Sequence, residues 1–401
     1  MELKLPATSV FRDPLYGYIH INYTFLKALI DTSVFQRLRR IKQLSGVYMV
    51  FHCAEHSRFT HCLGTYELAL RLCESNSDIK NTFTLREQLL LLTSALLHDI
   101  GHGAYSHAFE DVFKTNHEHI GATIICENKE ITSILDTIDL EFKLDVASII
   151  RKEGKFLLIE NLISSQLDVD RLDYLSRDAY QSGVPYGYVD AERILRVLKI
   201  KDNKIVFKES GIHAIENYLI ARYHMYWQVY FHKTARSYEV ILEKIYERIN
   251  DLIKINFNFN CDVSYIKNIS ANKEDLTTYL KIDDNYINTV INFLEDSKDS
   301  LLSSLCKDFM TRTIWGNVKA DSANKDFISK YKKEHSKYYY STKNVKQNTY
   351  NQSGQYLGHD INILLENGDI VGLDSVSPVI KSLSKSGVKE DKRFFYKIFK
   401  I

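Results

Sequence analysis

The chain has 401 residues, 45% hydrophobic and 26% charged, and its 52 Lys+Arg against 51 Asp+Glu leave a formal net charge of +1. That balance excludes a polyanion-binding tail but not a local basic patch, and the length is enough for a large core and about two compact units. The longest apolar stretch, around Leu89 to Leu97, is roughly half of the ~20 residues a membrane span needs.

The N-terminus, MELKLPATSVFRDP, has no signal-peptide apolar region. The six cysteines (Cys53, Cys62, Cys73, Cys126, Cys261, Cys306) show no C-x-x-C spacing. A cytoplasmic protein with reduced thiols, and no membrane contact, is the expectation. Four prolines and 16 glycines leave room for long helices, and residues 1 to about 250 read as mainly helical. Phe35, Leu38, Ile41 and Leu44–Ser45 form a helix-like apolar stripe, with Arg37, Arg39, Arg40 and Lys42 around it. HSRFTHCLGTYELAL places His61 at the start of a second helical pattern. The apolar run to Leu97 then delivers His98 and Asp99 side by side, and Gly101 and Gly103 break the helix. In QLDVDRLDYLSRDAY, Leu167, Leu172 and Leu175 anchor an amphipathic stretch while Asp168, Asp170, Asp173 and Asp178 face elsewhere.

Two hairpins interrupt the helices: LKIKDNKIVF turns at Asp202-Asn203 and INILLENGDIVGL at Asn367-Gly368. From about Asn250 to Gln352 the chain is rich in Lys, Asn, Asp, Ser and Tyr. It holds weak helices over Glu274–Leu280 and Ile287–Leu294 and a polar, tyrosine-laden segment, Lys332 to Gln355. There is no internal repeat. The expected organisation is a helical core over 1–250 followed by a mixed α+β lobe over 251–401.

Eight of the 14 histidines fall between His52 and His119, among them His102, His107 and His117. Burying so many titrating groups beside a core helix is costly unless a cation or a polar network satisfies them. Adjacent His98 and Asp99 can both reach one divalent ion at the frayed end of a helix, and His61 and the acidic stretch supply further ligands. A hydrogen-bonded structural network is the other reading of the same residues.

FRDPLYGYIHI, DTSVFQRLRRIKQLSGVYMVF, EHSRFTHCLGTYELA, LLHDIGHGAYSHAFE, NHEHIGA and LDVDRLDYLSRDAYQSGV run in the order seen in HD-domain deoxynucleoside triphosphate triphosphohydrolases, which the chain resembles over residues 8 to 245. The resemblance implies a mainly α HD-domain core and hydrolysis of a dNTP to deoxynucleoside and inorganic triphosphate. It implies metal ligation by His61, His98, Asp99 and Asp170. The ion is Mn, Fe, Co, Ni, Mg or Zn, which the ligand types do not distinguish. His107, buttressed by Glu110, matches the residue that protonates the 5′ oxygen, and Glu110 stands where vertebrate relatives have Asp. His102 and His117 match phosphate-side histidines. Arg58, Arg171 and Arg222 match contacts to the triphosphate, Arg171 replacing a lysine. Gln43, Leu44, Tyr174, Asp178 and Tyr230 match the sugar pocket: Tyr174 and Asp178 on the 3′-hydroxyl, Leu44 and Tyr230 excluding a 2′-hydroxyl. His232 and Lys233 match, but Phe231 stands where the family has a polar side chain, so the favoured base is left open.

Several relatives are nucleotide-activated tetramers, which implies a homo-oligomer here, dimer or tetramer. Asp31, Gln36 and Arg39 match a guanine-reading activation site, whereas Ser9 and Arg12 replace its lysine and asparagine. Arg196 and Lys208 are candidates for phosphate contacts. An ordinary helix cap at Asp31 and a surface arginine at Arg39 remain equal alternatives. Two other functions compete with the leading one: an HD phosphodiesterase or nucleotidase acting on another nucleotide, and a nucleotide-sensing binding protein. In the second, Lys332–Gln355 would stack single-stranded nucleic acid, although a solvated face suits that segment better.

Overall fold

A computed structural model describes residues 4–347, 361–385 and 387–399, and of His107 the backbone alone. Helices begin where the sequence supplies caps. At Thr84 the hydroxyl accepts the Glu87 N–H (3.2 Å) while the Glu87 carboxylate accepts the Thr84 N–H (2.8 Å), a reciprocal box that starts the Leu85–Leu97 helix. Every side chain from Leu89 to Leu97 is buried, each leucine contributing about 1.5–3 kcal/mol of transfer free energy. This helix packs against the Arg58–Ser75 helix, which in turn packs against Val169–Ser182. Gly101 allows the following loop to touch the His117–Glu127 helix: a Cβ there would lie 2.1 Å from the His117 carbonyl oxygen and 2.4 Å from the Gly121 nitrogen. Three helices and one loop thus converge on one point.

The protein is mainly α, with three small sheets among the described residues. Strands β1 (Lys4–Asp13) and β2 (Gly17–Tyr23) form an antiparallel hairpin that the sequence reading did not anticipate. Its signal was present in Ile19 and Ile21, both fully buried between more exposed neighbours. Strands β3 (Leu198–Lys201) and β4 (Lys204–Lys208) are the first expected hairpin, with Asp202 and Asn203 both at positive φ (51° and 55°) as its turn demands. Further on come β5 (Gly316–Lys319), β6 (Tyr340–Gln347), β7 (Asn362–Leu364), β8 (Ile370–Gly372) and β9 (Lys389–Tyr396). β7 and β8 are the second expected hairpin, and β7 runs parallel to β4, giving one sheet of order β3-β4-β7-β8. The third sheet, β5-β9-β6, was not expected.

The stripe from Phe35 to Leu44 is not one helix. A helix spans Ser33–Arg37, a 3-10 turn Leu38–Arg40, and the chain becomes extended at Ile41. There Ile41 and Gln43 exchange backbone hydrogen bonds with Arg58 and His56 (2.9 Å each), and the Asp284 carboxylate accepts the Lys42 N–H. Tertiary partners capture the backbone that helix propagation would have used. The expected weak helices appear as Leu276–Tyr279 and Asp284–Leu294. Residue 250 lies inside a long helix, Lys233–Lys254. Of the Lys332–Gln355 segment, the described part is the end of a helix (Lys325–Glu334), a 3-10 turn and β6; residues 348–355 lie outside the described residues. Among the described residues no helix is long and apolar enough to cross a membrane.

Candidate active site

His61 projects from the first turn of the Arg58–Ser75 helix, His98 and Asp99 follow the last residue of Leu85–Leu97, and Asp170 is in the first turn of Val169–Ser182. His61 Nε2 is 3.0 Å from Asp170 Oδ1, 3.2 Å from His98 Nε2 and 3.8 Å from Asp99 Oδ2. His98 Nε2 is 3.5 Å from an oxygen of each carboxylate. Ligands about 2.1 Å from an octahedral ion lie about 3 Å from one another; donor atoms of His61, His98 and Asp99 all lie within 4.8 Å of one another and could hold one divalent cation, with Asp170 beside both imidazoles.

The other imidazole nitrogens support that fit. His61 Nδ1 is bonded to Asp173 Oδ2 (2.8 Å) and His98 Nδ1 to the Ala95 carbonyl oxygen (2.9 Å). With Nδ1 the donor to these partners, Nε2 is the ring atom turned toward the carboxylates, and it is the atom that a cation would take in place of a proton. Burial works against a charged His61, but Asp170 and Asp173 outweigh it and push its pKa up to about 10. The same negative field would meet a bound cation. Asp99 is buried too, yet Arg58 and His98 hold its carboxyl well below the usual range.

Asp173 is the hub of a second layer. It accepts the Tyr16 hydroxyl (2.8 Å) and two bonds from Arg177 (2.9 and 3.0 Å), and Arg177 also donates to Asp13 (2.8 Å) at the end of β1. Burial alone would raise the Asp173 carboxyl, but Arg177 and His61 bring it down to about 2. Sequence reading grouped Asp173 with the other acids and gave Asp13 and Tyr16 no part. Asp168 proves to be a helix cap, accepting the Arg171 N–H.

On one flank, Arg58 is buried, donates to Asp99 through Nη1, and donates to Ser106 Oγ through Nε (3.0 Å) and Nη2 (2.8 Å). His102 Nε2 is 3.3 Å from Asp99 Oδ1, and burial together with Arg58 keeps this imidazole neutral by lowering its pKa well below the ordinary value. The rings of His102 and His117 stack at 3.9 Å. Glu110 accepts both the backbone N–H and Nδ1 of His117 (2.9 and 2.8 Å). His107 opens the His107–Phe113 helix that carries Glu110, and its side chain lies outside the described residues.

On the other flank, Asp178 is buried between His56 Nε2 (2.8 Å) and the Tyr230 hydroxyl (2.6 Å). The Tyr174 ring lies 6.4 Å from that of His61 and 6.2 Å from that of Tyr230. Tyr226 and Tyr230 bound a π-helical turn, a distortion that is frequent at functional sites, and the Tyr226 hydroxyl is 3.5 Å from that of Tyr174. Arg171 donates to Asp168 and to the Ser165 carbonyl, while the Arg222 guanidinium lies 5.7 Å from the Tyr226 ring. Gln43 Oε1, Arg171 Nε and Arg222 Nε are buried without a hydrogen-bond partner. Leu44 is buried and Gln43 joins this flank through its bond to the His56 carbonyl. His56 and Tyr226 escaped the sequence reading; the first stands five residues before His61 in the same motif.

Residues 58–178, which contain all four candidate ligands, match the HD domain, and residues 189–304 match the HD associated region. YwfO, an uncharacterized protein of Bacillus subtilis, is 39% identical across 98% of this chain and 93% of its own length. The chain belongs to the HD-domain family. An HD-domain relative in Dictyostelium discoideum, named deoxynucleoside triphosphate triphosphohydrolase SAMHD1 homolog, is 29% identical across 67% of this chain and 56% of its own. A solved structure of a Bacteroides thetaiotaomicron phosphohydrolase superposes with a TM-score of 0.85 at 27% identity, covering 98% of this chain and all of the other. These likenesses make the chain a member of the HD phosphohydrolases.

Away from the HD centre, Gln36 is bonded to the Ile30 carbonyl and to Arg39 Nε (2.8 Å each), and the Arg39 guanidinium stacks 3.5 Å over Phe59. Asp31 is exposed and paired with Lys27; it ends a helix and caps nothing. Arg196 and Lys208 line one groove of about 430 Å³ with Arg193 and Lys199. Phe231, His232 and Lys233 line another, of about 550 Å³.

Proposed function

We propose that this HD-domain protein hydrolyses deoxynucleoside triphosphates to deoxynucleoside and inorganic triphosphate. One observation carries the reading. Asp170, Tyr174 and Asp178 stand at i, i+4 and i+8 of the Val169–Ser182 helix, so one helix face runs about 12 Å from the metal set to the Asp178–Tyr230 pair. A phosphorylated sugar laid along that face would have its phosphate at one end and its hydroxyl at the other.

A divalent ion held by His61, His98, Asp99 and Asp170 would supply Lewis-acid polarisation of the α-phosphoryl oxygen and an activated water. Arg58, beside Asp99, and Arg171 and Arg222, each with a buried free N–H, neutralise the triphosphate. Water adds to the α-phosphorus and the bond to the 5′ oxygen breaks. The departing oxygen takes its proton from His107, with Glu110 on the same helix, while His102 and His117 stabilise the charge that develops. Tyr174 and Asp178 hold the 3′-hydroxyl, and Leu44 and Tyr230 occupy the space a 2′-hydroxyl would need. Activation by a second nucleotide in an oligomer, read by Asp31, Gln36 and Arg39, belongs to the same proposal. Its support is the Gln36–Arg39 bond, which presets two of the three side chains.

The test incubates metal-loaded protein with each dNTP, singly and mixed, and separates products by ion-pair chromatography. Deoxynucleoside with intact triphosphate supports the reading, and stimulation of one dNTP by another supports the activation site. Release of monophosphate or single phosphate, or no turnover with any divalent metal, overturns it. The protein would then be tested against cyclic and other nucleotides.

A further inference from the structure

The loop from His98 to Ser106 carries half of the metal set, but its own sequence does not hold its shape. Tyr105 (φ 54°) and Ser106 (φ 46°) are consecutive non-glycine residues in left-handed backbone, a conformation that persists only where the surroundings over-determine it. Ser106 is the residue that receives Arg58, and His102 the one beside Asp99.

Three buried side chains from outside the HD motif grip this loop by its backbone. The Tyr279 hydroxyl donates to the Gly101 carbonyl (2.8 Å), Arg37 Nη1 donates to the His102 carbonyl (2.9 Å), and Asp284 Oδ1 accepts the Tyr105 N–H (2.8 Å). They are also joined to one another. Arg37 Nη2 donates to the Ile282 carbonyl (2.8 Å), its guanidinium lies 5.4 Å from the Tyr279 ring, and Asp284 Oδ2 accepts the Lys42 N–H (2.9 Å). Asn288 adds a bond to the Tyr105 hydroxyl (2.6 Å). The contact is close: a Cβ on Gly103 would lie 2.9 Å from the Tyr279 hydroxyl oxygen. Space filling alone does not ask for these polar atoms, since Phe at 279 would occupy nearly the same volume.

We propose that residues 279–288 of the HD associated region are a strut for the active-site loop, with Tyr279 and Asp284 as positioning residues that hold Gly101 and Tyr105, the neighbours of His102 and Ser106, and so set His102, and Asp99 through Ser106 and Arg58. Neither residue touches the reacting atoms. The effect on turnover rests on the dNTP-hydrolase reading; the effect on the loop does not.

Tyr279→Phe and Asp284→Asn in the full-length, metal-loaded protein test it. The first deletes one hydroxyl. The second replaces a carboxylate that accepts two N–H groups by an amide with one accepting oxygen. Each should lower kcat roughly 10- to 100-fold, as small misplacements of catalytic groups do, with KM within about twofold of wild type because the sugar flank is untouched. Backbone hydrogen exchange, read by mass spectrometry, should rise over residues 98–110 and stay unchanged in the Arg58–Ser75 helix. Wild-type kcat and wild-type exchange in Tyr279→Phe would overturn the strut, as would exchange raised throughout the chain. If the wild type turns over no dNTP, the functional reading falls, and exchange over 98–110 alone decides the strut.

Discussion

Asp173 is the residue on which the candidate metal centre is oriented, because it fixes the His61 tautomer while Arg177 and Tyr16 fix it in turn. Asp173→Asn should therefore weaken metal binding by roughly 10- to 100-fold without removing a ligand, the usual cost of losing such a partner. Calorimetric titration with Mn²⁺ checks this, and activity should return at excess metal; unchanged affinity would refute it. Asp284 makes a different prediction. Burial pushes its carboxyl up to about 6, against the N–H groups of Lys42 and Tyr105 that lower it. A folded value above the unfolded ~3.9 means that this group's contribution is fully present below about pH 4 and is lost as pH rises through 6, by about 3 kcal/mol. Asp284→Asn should then gain on wild type by about that amount between pH 4 and pH 8 in urea denaturation, a difference in slope that its lost hydrogen bond does not mask. What the sequence made legible here was the candidate cluster, since His61, His98-Asp99 and Asp170 stand in a recognisable order and the structure brings them together. Their supports were not legible. Tyr16 meets Asp173 across 157 residues, and Arg37 meets Ile282 across 245; no local pattern announces such pairs.

Helix propensity and helix position give opposite answers at Gly64, in the middle of the Arg58–Ser75 helix. In an isolated helix, alanine there would be favoured by about 1 kcal/mol. Here its Cβ would lie 1.9 Å from Asp173 Oδ1 and 2.3 Å from Arg177 Nη2, so the glycine is what lets Val169–Ser182 bring its carboxylate up to His61. Gly64→Ala should lower both the thermal midpoint and metal affinity. Its effect on affinity should be strongly non-additive with Asp173→Asn, because both act through one contact. Additive losses in a double-mutant cycle would count against this account. The same contest between local and tertiary preference explains which elements the sequence revealed. The long buried helices and the Asp202-Asn203 and Asn367-Gly368 turns follow local rules and were foreseen. The stripe over Phe35–Leu44 was misjudged because backbone groups of His56, Arg58 and the Asp284 carboxylate recruit it into extended chain. The β5-β9-β6 sheet was missed because its strands are brought together from widely separated positions, and the half-buried positions of β6 include polar residues such as Ser341 and Lys343, so no apolar alternation marks it.

At the scale of the molecule, the HD core and the C-terminal residues share their supports. β7 adds to the edge of β4, Lys343 of β6 pairs with Glu243 (2.6 Å), Arg248 pairs with Asp299, and the strut at 279–288 braces the loop of His98. A boundary at residue 250 would cut the Lys233–Lys254 helix, strip from it the Ser300–Met310 helix that packs against it, and deprive Tyr105 and Gly101 of their anchors. The HD-associated match over 189–304 spans that cut. A fragment of residues 1–250 should therefore fail to fold as an independent catalytic unit. Expressed alone, it should be insoluble or, if soluble, lack the near-ultraviolet circular dichroism of fixed aromatic packing and bind Mn²⁺ far more weakly than the full chain. A fragment with a sharp, cooperative unfolding transition and full metal affinity would show that the HD core stands alone and that the later residues only decorate it. The buried polar contacts argue for the first outcome: each loses its partner on truncation, and an orphaned buried donor or acceptor costs about 1–3 kcal/mol, so a handful is enough to exhaust the stability of an ordinary domain.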